Sequence, residues 1–468
     1  MTADSVPLTF GQLSVWRVMA DWPHSRWPET YLTGAVELPP GCGEDRVVSA
    51  FGALRRRHES LRTRFTDTAD GPVQRVDDAA GDPVVGHVER QVTTVEEAAA
   101  AGRELAQDRI DRAREHAYRF AVVTSGGRST HAVITTDHIV ADGFSMGRLR
   151  AELTALTGGD SPEGSRWLEE EPPQPRALAL AQRSAAGRAR GDGVLRHWRD
   201  LLATLPPDAF PVPDDAGGSP GRIEAVLRSP RARAALAVVA RERGLAPHDV
   251  LLALTSLALA VLEESARVVM TLQSSNRFGP PWHTVVSSMN QYAPMVLDTG
   301  TAAGTFDEWV RRVQRTALKA YRFGSYDIDA VDALVRGDRG RAPGYDNFYN
   351  FLAHDVAQSA PVPGAVRAGR VERTRPHRQI GPRFDVKVLG GPDMPVVVRA
   401  DPALVPADRL DALLTWFDEE ARRLRRQPAG STAALVRRCR AALEGPSAVR
   451  PPEHAEHAEH AVERPVRL

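Results

Sequence analysis

Five residues within one short stretch have the types and spacing to do chemistry: Asp137, His138, Asp142, Gly143 and Ser145. They follow a run, His131 to Thr136, in which small polar and apolar residues alternate with the period of a strand, so they fall in the turn at a strand end. An imidazole in such a turn is placed to move a proton near neutral pH. Gly143 permits a close backbone approach just before a helix expected over residues 144–156. The cluster does not have the spacing of an established metal site, and no metal is expected. Ser145 lies past the turn with no Gly-x-Ser-x-Gly elbow around it, which disfavours a covalent serine mechanism.

The order Asp137-His138-x-x-x-Asp142-Gly143 resembles the His-His-x-x-x-Asp-Gly motif of condensation domains from nonribosomal peptide synthetases and of related coenzyme A-dependent acyltransferases, with aspartate in place of the first histidine. Upstream, Arg57-His58-Glu59-Ser60-Leu61-Arg62-Thr63-Arg64-Phe65 resembles the second motif of that family at every fixed position. Gln12 and Trp16 resemble its first motif, with Ser14 standing for arginine and Val15 for leucine. Residues 285–295, which include Asn290, and the runs 346–351 and 384–388 resemble its later strands.

The resemblance implies an α+β protein of two chloramphenicol-acetyltransferase-like lobes, set as a V with His138 in the cleft. It implies a channel reached by an acyl donor from one side and an acceptor from the other, with Asn290, Ser145 and Gln12 as channel candidates. The implied reaction moves an acyl or aminoacyl group from a thioester to an amine or hydroxyl, without an acyl-enzyme. No bound cofactor is implied; the donor is carried on the phosphopantetheine of a separate carrier protein, or on coenzyme A. His138 takes the place of the catalytic histidine and Asp137 that of the mainly structural one. A buried aspartate there must acquire a cationic neighbour or a raised pKa. The resemblance also implies a salt bridge between Arg62 and Asp142, both of which would shape the turn rather than touch substrate.

Two other readings are weighed against this one. A catalytically silent module that recruits partner enzymes to a carrier protein is favoured by the change at Asp137 and opposed by the presence of His138, Asp142 and Gly143. An acyl-coenzyme A-dependent transferase usually carries an Asp-Phe-Gly-Trp-Gly motif, whereas the corresponding region here reads Arg383-Phe384-Asp385-Val386-Lys387-Val388. Met146 stands where epimerisation domains tend to have tryptophan.

The wider chain must position this turn. With 468 residues it exceeds the size at which one core keeps growing, so an N-terminal lobe over 1–175 and a C-terminal lobe over 176–445 are expected, joined by a Gly-, Pro- and Ser-rich link over 158–175. Formal net charge is zero, which offers no basis for nucleic acid or an anionic membrane as partner. Of the 60 basic residues only Lys319 and Lys387 are lysine. Two cysteines, Cys42 and Cys439, and a polar start without a signal-peptide pattern point to a soluble cytoplasmic protein. Helices are expected over 95–113, over an arginine-rich 176–202, and over 230–244, 247–263, 306–323 and 406–426. The arginine-rich segment is either a docking surface for acidic carrier proteins or simply a solvated face, and the second is the more common outcome. Residues 446–468 contain three Glu-His-Ala repeats, with His454, His457 and His460, and are expected to be a disordered tail rather than a metal site.

Overall fold

Strand alternation and helix caps in the sequence translate into fourteen strands and thirteen α-helices among the residues described by the computed structural model, namely 5–20, 22–78, 81–205, 221–301, 304–340, 345–357, 367–376, 381–426 and 430–445. The chain opens with β1 (Ser5–Pro7), α1 (Phe10–Ala20), β2 (Leu32–Glu37), α2 (Glu44–Arg57), β3 (Thr63–Thr66), β4 (Val73–Val76), β5 (Val85–Glu89), α3 (Val95–Leu105), β6 (Tyr118–Ser125), β7 (Arg128–Thr136), α4 (Gly143–Thr157) and α5 (Pro162–Glu169). Then come α6 (Pro175–Gln182), α7 (Ala185–Thr204), β8 (Ile223–Arg228), α8 (Pro230–Arg243), α9 (Pro247–Leu262), β9 (Arg267–Ser274), β10 (Gln291–Asp298) and α10 (Phe306–Arg322). The chain continues through α11 (Ile328–Arg339), β11 (Phe348–Phe351), β12 (Arg370–Thr374), β13 (Phe384–Val388), β14 (Val396–Ala400), α12 (Ala407–Arg426) and α13 (Thr432–Glu444).

β7, the strand that delivers the candidate turn, lies inside a four-stranded sheet of order β2-β7-β6-β5. Its last residue, Thr136, is opposite Leu32 on one side and Tyr118 on the other, and every residue from His131 to Thr136 is buried. The β6–β7 hairpin turns through Gly126 and Gly127, whose φ of 58° and 73° are open to glycine at little cost. A separate small sheet, β1-β4-β3, forms in this half because Thr63–Thr66 and Ser5–Pro7 both pair with β4. Residues 223–400 build a seven-stranded sheet of order β10-β9-β11-β13-β14-β8-β12.

Two large apolar cores follow from these sheets. One surrounds the seven-stranded sheet and takes in α9, which is buried at every position from Asp249 to Leu259, as its nearly unbroken Leu and Ala content requires. The other unites Leu54, Phe120 and Ile134 of the first half with Trp198 and Leu202 of α7 and with Ile328 and Val331 of α11. Helices later in sequence thus pack into the core that supports β7.

Several expected elements change in length or number. The helix expected over 95–113 stops at Leu105, because Ile110 and Arg112 turn inward to bond Tyr31 and Asp137. The link over 158–175 contains α5, capped by Ser161 and anchored by buried Trp167. The helix expected over 176–202 is two helices, divided at Arg183 and Ser184, where the Ser184 hydroxyl caps α7 by accepting from the Gly187 amide. After the helix expected over 406–426, α13 adds buried Leu435, Cys439 and Leu443 to the core. Residues 206–220 and the repeats of 446–468 lie outside the described residues.

Beneath α4 lies a buried charged network that fixes the second motif. Glu152 accepts from Arg148 at 2.8 Å and from His58 at 2.6 Å, and Arg148 also donates to the Thr284 carbonyl. Burial alone would raise the Glu152 carboxyl, but its bonds to His58 and Arg148 outweigh this and hold it down to about 2. Burial lowers the His58 imidazole, the bond to Glu152 opposing it only in part. Both shifts act in the same direction on stability. Glu152 contributes stability that is complete above its unfolded value of about 4.3 and is lost as pH falls through about 2. The unfolded state takes up a proton at His58 below about 6.5, before the folded state does, so stability declines from there as well. The melting temperature is therefore expected to fall from pH 7.5 to pH 4 in the parent, and to fall less over the upper part of that range in His58→Gln; equal slopes there would show that His58 does not titrate differently on folding.

Candidate active site

Where β7 ends, the backbone closes a tight turn. The Asp137 amide donates to the Ala117 carbonyl at 2.9 Å and the Val140 amide to the Asp137 carbonyl at 3.0 Å. This leaves His138 at the head of the turn, half-buried. Four residues on, Asp142 caps α4: its carboxylate accepts from the Ser145 amide at 2.8 Å, satisfying a donor that the first helical turn leaves open.

That carboxylate is almost completely buried and needs a cation. Arg277, just after β9, supplies it: Nη2 lies 2.9 Å and 2.8 Å from the two Asp142 oxygens. The same guanidinium donates to the Ser145 hydroxyl at 2.9 Å, the Ser287 carbonyl at 3.1 Å and the Val285 carbonyl at 2.8 Å. Phe144 lays its ring against it, 4.4 Å from ring centre to Cζ. One arginine therefore ties the turn, the start of α4 and the segment before β10 into a unit. Ser145 completes the tie, its hydroxyl lying 2.9 Å from the Ser287 carbonyl and accepting from the Ser287 amide at 3.1 Å.

The segment held in this way meets the histidine. Ser288 Oγ is 3.4 Å from His138 Nδ1 and is fully buried. From the other side α1 presses on the same segment at Gly11, where a Cβ would stand 2.3 Å from the Ser288 carbonyl oxygen and 2.6 Å from the Met289 Cα. Only glycine allows this approach. Gly11→Ala is expected to destabilise the fold by about 1–3 kcal/mol through overpacking and to shift Ser288 relative to His138. Chemical denaturation checks the first effect; unchanged stability would mean that α1 can retreat freely.

The substitution of aspartate at position 137 is compensated. Arg112 Nε and Nη2 grip the two Asp137 oxygens at 2.8 Å and 2.7 Å, with both side chains buried. The guanidinium stacks over Trp27 at 4.3 Å, and Asp137 Oδ1 also accepts from the Ile139 amide at 3.0 Å. The expected cationic neighbour is thus present, and the pair braces the backbone on either side of His138.

The expected Arg62 to Asp142 salt bridge is not formed. Arg62 instead donates to the Asp77 carbonyl at 2.6 Å while its own carbonyl accepts from the Asp77 amide, which binds it to the end of β4. Arg277 occupies the place beside Asp142. Gln12 is buried and folded back on Thr9, whose amide donates to Gln12 Oε1 at 2.8 Å at the start of α1. Ser14, standing where the resembled motif has arginine, is buried and accepts from Gln291 at the start of β10 at 2.9 Å. Asn290 is half-buried, two residues beyond Ser288. Gly143 is exposed, and a Cβ there would meet only open space, so nothing within the protein demands the close approach expected of it. Sequence reasoning missed Arg277, Arg112, Ser288 and Gly11. A positive φ of 54° at Asn276, immediately before Arg277, marks the sharp bend that aims the guanidinium. Among the described residues no group of three or more His, Cys, Asp or Glu is arranged to hold a metal ion.

Residues 3–361 match the Condensation domain family. The chain belongs to that family. Its members transfer acyl groups from thioesters held on carrier proteins, and its fold is the two-lobed, chloramphenicol-acetyltransferase-like one. Among curated proteins, the probable non-canonical nonribosomal peptide synthetase CymA of Salinispora arenicola is 29% identical over 382 residues, 78% of this chain and 5% of that protein. The chain thus spans a small fraction of this relative. Among solved structures, the condensation domain of the monacolin K polyketide synthase MokA superposes with a TM-score of 0.70 at 18% identity, covering 91% of this chain and 98% of that one. The X-domain in its complex with OxyB from teicoplanin biosynthesis gives 0.67 at 20% identity, covering 93% and 96%. At these identities the likeness is one of fold. No single helix among the described residues is long and apolar enough to cross a membrane.

Proposed function

We propose that this condensation domain is catalytically active in nonribosomal-peptide-type biosynthesis and joins an acyl or aminoacyl thioester, presented by a separate carrier protein, to an amine or hydroxyl acceptor, with His138 as the base. The observation that carries this reading is the bracing of His138 from three directions, by the Asp137–Arg112 pair, by the Asp142–Arg277 pair and by Ser288. A recruitment module has no need to hold an imidazole so closely.

The thioester is already activated, so much of the rate comes from placement, which can supply several kcal/mol. As the acceptor nitrogen or oxygen attacks the thioester carbonyl, its proton passes to the imidazole of His138. The tetrahedral intermediate then collapses, the carbon–sulfur bond breaks, and the departing thiolate takes the proton back. The histidine ends as it began. Arg277, Arg112 and Ser288 act on this step through His138 and are positioning residues.

Mass spectrometry of reactions between the purified protein, a panel of acyl-loaded carrier proteins and coenzyme A thioesters, and amine and alcohol acceptors tests the reading. A product mass equal to acyl group plus acceptor is expected, and it identifies the bond and the donor. A second reading, recruitment of partner enzymes to a carrier-bound peptide, draws on the aspartate at position 137 and on the X-domain likeness. Tight binding of a carrier protein with no product from any pair would favour it.

A further inference from the structure

Charge on this molecule is closely balanced: net charge is zero, and most buried arginines sit against a carboxylate. A cluster of four cations departs from that balance. Between α7 and α10 lies a cavity of about 520 Å3 lined by Arg196, Arg199, Lys319 and Arg322, with Asp200 the one acidic residue on its wall. No carboxylate among the described residues lies within ion-pairing distance of any of the four cations. Its inner wall is aromatic: His197 stacks on Phe323 with ring centres 4.5 Å apart and planes 19° apart, and His197 Nδ1 is buried without a hydrogen-bond partner.

We infer that this cavity binds a small pyrophosphate-bearing molecule. Four like charges facing one concavity repel each other, and a multiply charged anion removes that repulsion. Arginine forks suit the paired oxygens of a phosphate, and lysine adds a compact point charge. The arrangement favours a small ligand over the acidic protein surface considered for the arginine-rich segment. Within that segment Arg183 packs over Phe10, and of the α7 arginines Arg196 and Arg199 line the cavity, where they converge with α10 on a single hollow. The ligand chemistry is shared by a free nucleotide diphosphate and by the phospho-ADP end of coenzyme A. The cavity also adjoins the site framework, since Gly324, next to Phe323, accepts from Asn276, which precedes Arg277 and also donates to the Met289 carbonyl.

Lysine labelling reads this directly, because Lys319 and Lys387 are the only lysines. Reaction with a deuterated acetyl ester, followed by peptide mass spectrometry, gives the labelling rate at each. Inorganic pyrophosphate, ADP and acetyl-coenzyme A, each at matched ionic strength, are expected to slow Lys319 while leaving Lys387 unaffected. Arg196→Ala/Arg199→Ala, both on an exposed helix face, is expected to raise the half-protecting concentration about tenfold or more, equivalent to about 1.4 kcal/mol. Protection by acetyl-coenzyme A at lower concentration than ADP would assign the source to a coenzyme A thioester, and the reverse to a nucleotide. The proposal is overturned if Lys319 and Lys387 respond alike, if sodium chloride at equal ionic strength reproduces the effect, or if only an acidic carrier protein protects Lys319. None of these readings depends on acyl transfer, so failure here and failure of the proposed reaction are distinguishable.

Discussion

Arg277→Ala is expected to cost the fold about 3–5 kcal/mol, the range for removing one member of a buried ion pair. The loss is large because the partner stays behind: Asp142 would remain buried with only the Ser145 and Met289 amides as donors. The carbonyls of Val285 and Ser287 would also lose their shared donor, freeing the segment that carries Ser288. Lysine is a poor replacement, since one ammonium cannot reproduce a planar fork that meets a carboxylate and two carbonyls together. Asp142→Asn in the same chain removes the stranded charge while keeping an oxygen for the cap. The double variant is therefore expected to be more stable than Arg277→Ala alone, by denaturant titration. Additive losses would mean that the two side chains do not depend on each other.

His138→Ala is expected to lower the rate of product formation by about 10²–10⁴-fold, the usual contribution of a positioned acid or base. Stability should change little by comparison. The His138 ring is half-buried, and the backbone turn is held by Asp137, Ala117 and Val140 without it. A loss of rate with the melting temperature preserved would separate chemistry from folding. Ser288→Ala offers the complementary measurement: it leaves the imidazole in place and removes the hydroxyl beside Nδ1, so its effect on rate should be smaller and should appear in kcat more than in KM.

The parts of this molecule that sequence made legible are those governed by local periodicity. β7, the turn and α4 follow from a two-residue alternation ending in a glycine and a helix cap. β13 was expected over 384–388 and spans Phe384–Val388, and the continuous apolar run of α9 marked a buried helix. What remained hidden depends on contacts between distant segments. Asp142 and Arg277 are 135 residues apart, and no spacing rule selects Arg277 from among so many arginines. The nine-residue match around Arg62 pointed to the wrong partner, because a motif identifies a residue but not the backbone carbonyl that captures it. Asp137 was recognised as needing a cation; that Arg112 supplies it, by ending α3 early, is a tertiary choice overriding helix propensity. Glycine at position 11 reads as an ordinary helical residue until the carbonyl of Ser288 is seen against it.

The most direct test compares the parent and His138→Ala on one reactive donor–acceptor pair, following product mass against time at saturating concentrations of both. The account predicts steady product formation by the parent and a rate at least about 100-fold lower in the variant, with both proteins folded by circular dichroism. Equal rates in the two proteins would contradict it, showing that placement alone drives the reaction and that His138 is not the base.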